Sequence, residues 1–207
     1  TMYGTMHVVA GISDIPLQPT APAIAHGDIP QRQFVRKWST QDILNSINDL
    51  ESGRDFQNGR KLFTQVSCVA CHAMKGTGGK LAPDMFGLQE KLAEQKTDVA
   101  KIVESLTEPS KEIEAKYRTQ IIATLGGKLY SGVIVEQNDQ VLKLSDNPLK
   151  EDGGVIEIPK KDIDEQDESK VSIMPEGLLN TMTKEEILDL LAYIISGANP
   201  DHPAFRK

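Results

Sequence analysis

Two hydrophobic rhythms divide the chain near Tyr117. Before it, apolar residues recur at helical spacing. Ser39 and Thr40 offer N-caps to a helix carrying Ile43, Leu44, Ile47 and Leu50, which should stop near Gly53. A second helix is predicted over 54–66, with Phe56, Leu62, Phe63 and Val66 as its apolar positions, and a third over 97–106 on Ile102, Val103 and Leu106. From Tyr117 the period shortens to two, and 117–125, 128–136, 140–145 and 155–159 read as four short strands. Gly126-Gly127 and Asn138-Asp139 suit two-residue hairpin turns. Asn147-Pro148 and Asp152-Gly153-Gly154 punctuate the last connection, and the charged run 160–170 reads as a solvated loop. Helical spacing then returns. Thr183 and Glu186 form a capping box before Ile187, Leu188, Leu190, Leu191, Ile194 and Ile195, with Gly197 as the stop. The expected fold class is mainly α, with a small antiparallel β-sheet interrupting a helical domain.

Residues 1–33 show no sustained period and carry Pro16, Pro19, Pro22 and Pro30 among small residues, which suits an extended arm or linker. The expected organisation is therefore this arm, a helical core over 34–116 plus 171–207, and a β insertion over 117–170. The chain of 207 residues is long enough for one core with a sizeable insertion. It has no run of eighteen apolar residues that would span a membrane. The net charge of −7 argues against nucleic acid or an anionic membrane as a partner. That acidity serves solubility, or the orientation of a basic partner.

The chemistry is concentrated in Cys68-Val69-Ala70-Cys71-His72, which holds both cysteines of the chain. C-x-x-C-H is the pattern of covalent c-type haem attachment: two thiols add to the vinyl groups of one porphyrin edge, and the adjacent histidine reaches the iron. A redox dithiol should follow a strand at a helix start, whereas here a helix precedes and a glycine-rich loop, 75–80, follows. Structural zinc needs four ligands, and no second Cys/His pair completes a tetrahedron. A disulfide across three residues would close too small a loop to stabilise much. The loop 75–80 is no phosphate cradle either, because no strand precedes it and no Gly-Lys-Ser/Thr ends it.

A six-coordinate haem needs a ligand opposite His72, and methionine suits electron transfer. Met74 is too close to His72 to reach the other face. Met2 and Met6 lie in the arm, Met85 is placed to pack against the porphyrin, and Met182 suits the core or surface. Met174, in Ser172-Ile173-Met174-Pro175, is the preferred candidate, since Pro175 stiffens the turn. Met174 as a core filler and His7, His26 or His202 as ligands are the alternatives. Trp38 and Arg60 suit either haem propionates or ordinary packing.

With Gly59-Arg60-Lys61-Leu62-Phe63, the C-x-x-C-H motif, Pro83-Asp84 and Met174-Pro175 in this order, the chain resembles class I cytochrome c. More specifically, it resembles the planctomycete/verrucomicrobial haem-binding domain, a cytochrome c fold with a long insertion. Glu108-Pro109-Ser110-Lys111, Tyr117, 172–179 and 185–193 carry that likeness, which spans about 34–205. The resemblance implies that Gly59 and Phe63 pack against Tyr193. It also implies that the Pro83 carbonyl accepts the Nδ1 proton of His72, which orients the ring. Ala82 stands where the family usually has glycine.

The function so implied is a mono-haem electron carrier with haem c as cofactor, Cys68 and Cys71 as attachment points and His72 and Met174 on the iron. Its donor would be a dehydrogenase, typically an upstream domain of the same longer chain, and its acceptor a downstream cytochrome or oxidase. A haem enzyme or gas sensor with an open sixth position is the alternative. Because c-type haem is attached outside the cytoplasm, a periplasmic or other extracytoplasmic location is expected, with Thr1 the start of a processed or excised fragment. The β insertion is expected to cover a haem edge or to dock a partner domain.

Overall fold

A computed structural model describes residues 32–147, 150 and 154–207. Most of the arm, with Met2, Met6, His7 and His26, lies outside these residues, as do Pro148 and the Asp152-Gly153 pair. Among the described residues helix occupies 37% and strand 20%, the strand share being mostly one five-stranded sheet. The described residues form two units: 118–173, and 32–117 together with 174–207.

The second unit is helical apart from one minimal ribbon. Its elements are α1 (Thr40–Leu44), α2 (Phe56–Gln65), α3 (Cys68–Cys71), the two-residue strands β1 (Ala73–Met74) and β2 (Thr77–Gly78), α4 (Leu88–Ala93), α5 (Val99–Thr107) and α6 (Lys184–Ile195). The first predicted helix is broken: α1 ends at Leu44 and a 3-10 turn, Ile47–Leu50, follows. Asn45 and Ser46, both poor helix formers, sit at the break, where Asn45 Oδ1 accepts from the Gln41 side-chain amide at 2.8 Å. Ser39 caps α1 in a reciprocal box with Asp42. Asp55 and Asp98 cap α2 and α5, so both helices begin two residues later than their apolar spacing implied. The short α4 has no counterpart among the predicted elements.

The core gathers around α6, whose Thr183–Glu186 capping box forms as predicted. Leu188, Leu190, Leu191 and Ile194 are essentially inaccessible to solvent, and Leu62, Val103, Leu179 and Met182 pack into the same cluster. Helices α2 and α6 approach so closely at Gly59 that a Cβ there would lie 2.3 Å from the Asp189 carbonyl oxygen and 2.8 Å from Tyr193 Cβ. The aromatic rings interleave around this crossing: Phe63 and Phe56 stand 5.6 and 5.5 Å from Tyr193, and Phe205 meets Phe56 edge-on at 5.2 Å.

Asp189 joins the same crossing as a buried carboxylate. It accepts hydrogen bonds from the Asp55 main-chain N–H at 3.0 Å and the Asn58 side-chain amide at 2.9 Å. Burying an acid costs free energy unless its oxygens are satisfied, and here α2 satisfies them. Removing the carboxylate strands those donors, so Asp189→Ala is expected to destabilise the protein by about 2–4 kcal/mol. Urea unfolding checks this. A loss below about 0.5 kcal/mol, the ordinary scale of surface substitutions, would show that the bonds to α2 are replaceable by water.

The other unit is one antiparallel sheet of β3 (Thr119–Thr124), β4 (Leu129–Gln137), β5 (Val141–Ser145), β6 (Val155–Pro159) and β7 (Ile163–Glu168), ordered β6-β5-β4-β3-β7. Ile122, Leu142, Leu144 and Ile158 form its core. The strand β7 corrects the reading of 160–170 as a solvated loop. It pairs with β3 in the register Ile121↔Asp167 and Ile122↔Gln166. Its Ile163-Asp164-Glu165-Gln166-Asp167-Glu168 sequence lacks alternation, yet a charged strand suits a sheet edge, where it opposes further pairing. The Gly126-Gly127 turn also differs from expectation. Thr124 N–H donates to the Lys128 carbonyl at 2.9 Å across a three-residue loop, and Gly127 takes the positive φ of +76° that closes it. In the next hairpin Asn138 N–H donates to the Val141 carbonyl at 3.0 Å, so the two central residues are Asp139-Gln140, one position later than predicted.

Candidate haem-attachment site

Helix α2 delivers the chain to the motif and then stops at Val66. Ser67 adopts a left-handed φ of +64°, which turns the chain so that Cys68 starts the single-turn helix α3. Cys68 and Cys71 are one turn apart, and residues three apart on a helix share a face. Both are free thiols and partly buried. Burial pushes the Cys68 thiol up to about 12 and raises that of Cys71. Among the described residues no group of three or more His, Cys, Asp and Glu side chains is arranged to hold a metal ion.

His72 follows α3 in extended backbone and is buried, at 9% exposure. Its Nδ1 lies 2.8 Å from the Pro83 carbonyl oxygen. A carbonyl only accepts, so Nδ1 carries a proton, and in the neutral ring Nε2 then keeps its lone pair. Burial lowers the imidazole pKa, and the bond to Pro83 opposes that shift. The result is a neutral, oriented ring with a free donor nitrogen, which is the state an iron ligand requires.

The loop from Ala73 to Met85 holds Pro83 in place through the backbone. Lys75 and Gly76, both at positive φ (50° and 76°), turn β1 into β2, and the Lys75 ammonium donates to the Ala198 carbonyl at 2.7 Å. Gly79 N–H then donates to the Val69 carbonyl at 2.9 Å, Ala82 N–H to Cys71 at 3.1 Å and Met85 N–H to Ala73 at 2.9 Å. The loop thus lies along the carbonyl side of the motif. A Cβ on Gly78 would come within 2.4 Å of the His72 carbonyl, and one on Gly79 within 2.0 Å of the Ala70 carbonyl. Only glycine permits that approach. Ala82 makes its bond without a positive φ, so the loop accepts its Cβ.

Met174, Met85, Cys68 and Val69 border the helical unit's apolar core, while Met182 is wholly buried within it and Met74 is 5% exposed. His202 caps the final 3-10 turn, its Nδ1 accepting from Ala204 N–H at 3.3 Å. The indole N–H of Trp38 is also committed, donating to the Met182 carbonyl at 3.0 Å, which removes it as a propionate donor. Arg60 is exposed. Sequence reasoning missed Gly78, Gly79 and Asp189; glycine content marked a loop but not the backbone it approaches.

A paired-thiol helix with a neutral, oriented imidazole at its end defines a module for covalently held haem. Residues 56–125 match the family model for cytochrome c, and a cytochrome c domain is present in this chain. The domain binds haem c, covalently attached with its iron, and both cysteines lie within the matched stretch. Cytochrome c domains are electron-transfer modules that work with redox partners. The match ends at Leu125, ahead of most of the sheet, of Met174 and of α6. No curated protein matches the chain. No helix among the described residues is long and apolar enough to cross a membrane.

Proposed function

We propose that this chain is a mono-haem c-type cytochrome module that carries single electrons, with Cys68 and Cys71 forming the two thioethers, His72 Nε2 and the Met174 sulfur as axial ligands, and Pro83 orienting His72. The observation that carries the reading is the 2.8 Å contact between His72 Nδ1 and the Pro83 carbonyl. It selects the neutral tautomer in which Nε2 keeps its lone pair, one residue beyond two thiols on a common helix face. When bound, the haem supplies the one-electron redox chemistry. Cys68 and Cys71 would attach it, and His72 and Met174 would hold its iron.

The cytochrome c core of the proposal is 34–116 plus 171–207, interrupted by the β insertion 117–170 and preceded by the arm 1–33. The likeness to the planctomycete/verrucomicrobial haem-binding domain supports an upstream dehydrogenase as donor, a cytochrome or oxidase as acceptor, and a periplasmic setting. Class I cytochromes c are typically extracytoplasmic, which agrees with that placement.

Two measurements test the proposal. Protein made with haem-attachment machinery should give a c-type pyridine haemochrome spectrum. Met174→Ala should then abolish the weak sulfur-to-iron charge-transfer band and allow cyanide or carbon monoxide to bind. If the parent protein already binds these ligands readily, the open-site haem enzyme or sensor is the correct reading. An unchanged Met174→Ala spectrum would place the sixth ligand elsewhere.

A further inference from the structure

We infer that residues 32–38 act as a brace that positions the loop bearing Met174, with Trp38 and Asn180 as its positioning residues; this rests on Met174 being the sulfur ligand. The stretch from Met174 to the α6 cap at Thr183 contains one 3-10 turn, Leu178–Thr181, entered through Gly177 at a left-handed φ of +77°. Below it, Leu179 and Met182 are anchored in the core at 2% and 0% exposure.

The main-chain carbonyls of the stretch are held by the segment ahead of α1. Three consecutive carbonyls accept from it. Asn180 receives the Val35 N–H at 2.8 Å and the Arg36 N–H at 3.3 Å. Thr181 receives Arg32 Nε and Nη2 at 3.2 and 3.1 Å, and Met182 receives the Trp38 indole at 3.0 Å. The Asn180 side chain adds a fourth point, its Oδ1 accepting from the Trp38 main-chain N–H at 3.0 Å. Arg32 also pairs with Glu186 at 2.7 Å, which ties the brace to the first turn of α6.

This arrangement has a consequence for Met174. Only Pro175, Glu176 and Gly177 separate it from the 3-10 turn, and the proline ring locks one of their backbone angles. Displacement of the turn is therefore transmitted to the sulfur with little slack. The brace thus sets how often the sixth position opens, separately from how stable the helical unit is.

The test uses haem-loaded protein in four forms: parent, Trp38→Phe, Asn180→Ala and Asn180→Asp. Trp38→Phe keeps an aromatic ring in place and removes the indole donor together with the five-membered part of the ring system. Asn180→Ala removes the side-chain acceptor, and Asn180→Asp restores it. Cyanide affinity of the oxidised protein is expected to rise about threefold to tenfold in Trp38→Phe and Asn180→Ala, because loss of one hydrogen bond raises the open population by that factor. The sulfur-to-iron band should weaken in parallel, and Asn180→Asp should return both readouts to the parent values. Unaltered cyanide affinity in Trp38→Phe and Asn180→Ala, with only the unfolding midpoint lowered, would overturn the brace and leave a plain structural contact. Met174→Ala separates the two levels. Loss of the band there with no effect of the brace variants defeats the brace alone, whereas a retained band defeats the ligand assignment and the brace with it.

Discussion

Protein carrying Cys68→Ala and Cys71→Ala together, produced beside haem-attachment machinery, is expected to contain no covalently bound haem. Its mass should be that of the polypeptide alone, and a denaturing gel should show no haem-dependent peroxidase stain. The reason is chemical. The chain's two thiols are its only nucleophiles able to form thioethers with porphyrin vinyl groups, and both lie in one helical turn. Each single substitution should leave one thioether and shift the haemochrome band toward that of a singly attached haem. His72 stays buried against Pro83 in the double variant, so loosely held haem, extractable by acidified solvent, is compatible with the proposal. Haem that survives such extraction would not be.

Gly79→Ala, the glycine substitution with the closest approach to other atoms, is expected to cost about 3 kcal/mol or more. The new Cβ would sit 2.0 Å from the Ala70 carbonyl oxygen and 2.7 Å from its carbon. Neither is a flexible side chain that can swing away, so the loop itself must withdraw. Withdrawal breaks the Gly79 to Val69 and Ala82 to Cys71 hydrogen bonds and carries Pro83 away from His72 Nδ1. Two readouts should therefore move together. The denaturant midpoint should fall, and the resonance of the His72 Nδ1 proton, sheltered while it is bonded to Pro83, should exchange faster with water. A stability loss with that proton still protected would mean that Pro83 is held by something other than this backbone approach.

Much of the helical unit was legible because its signals are local. The Thr183–Glu186 box and the apolar spacing behind it lie within a single helix, and α6 forms where they indicate. The motif Cys68 to His72 was legible for the same reason: its five residues are contiguous, and their chemistry requires no distant partner to be recognised. The haem c expectation followed from them directly. By contrast, β7 was unreadable from its own residues, because an edge strand draws its order from a neighbour rather than from burial of an apolar face. The broken first helix shows the same limit in a milder form, since Ile43 and Leu50 are both buried although the backbone between them leaves the helix.

By itself the amino-acid sequence determined the last helix with its cap, the approximate course of α2 and α5 and four strands of the sheet, and that two thiols and an imidazole stand together in one short stretch. Those properties depend on spacing of a few residues along the backbone. Only the tertiary structure decided that Asp189 binds the start of α2, that Gly79 lets a loop touch the haem motif, and that Trp38 spends its indole proton on Met182 rather than elsewhere. Each of these joins groups by backbone approach or hydrogen bonding, in two of the three cases across more than a hundred residues, and such contacts depend on how helices pack rather than on any pattern within them.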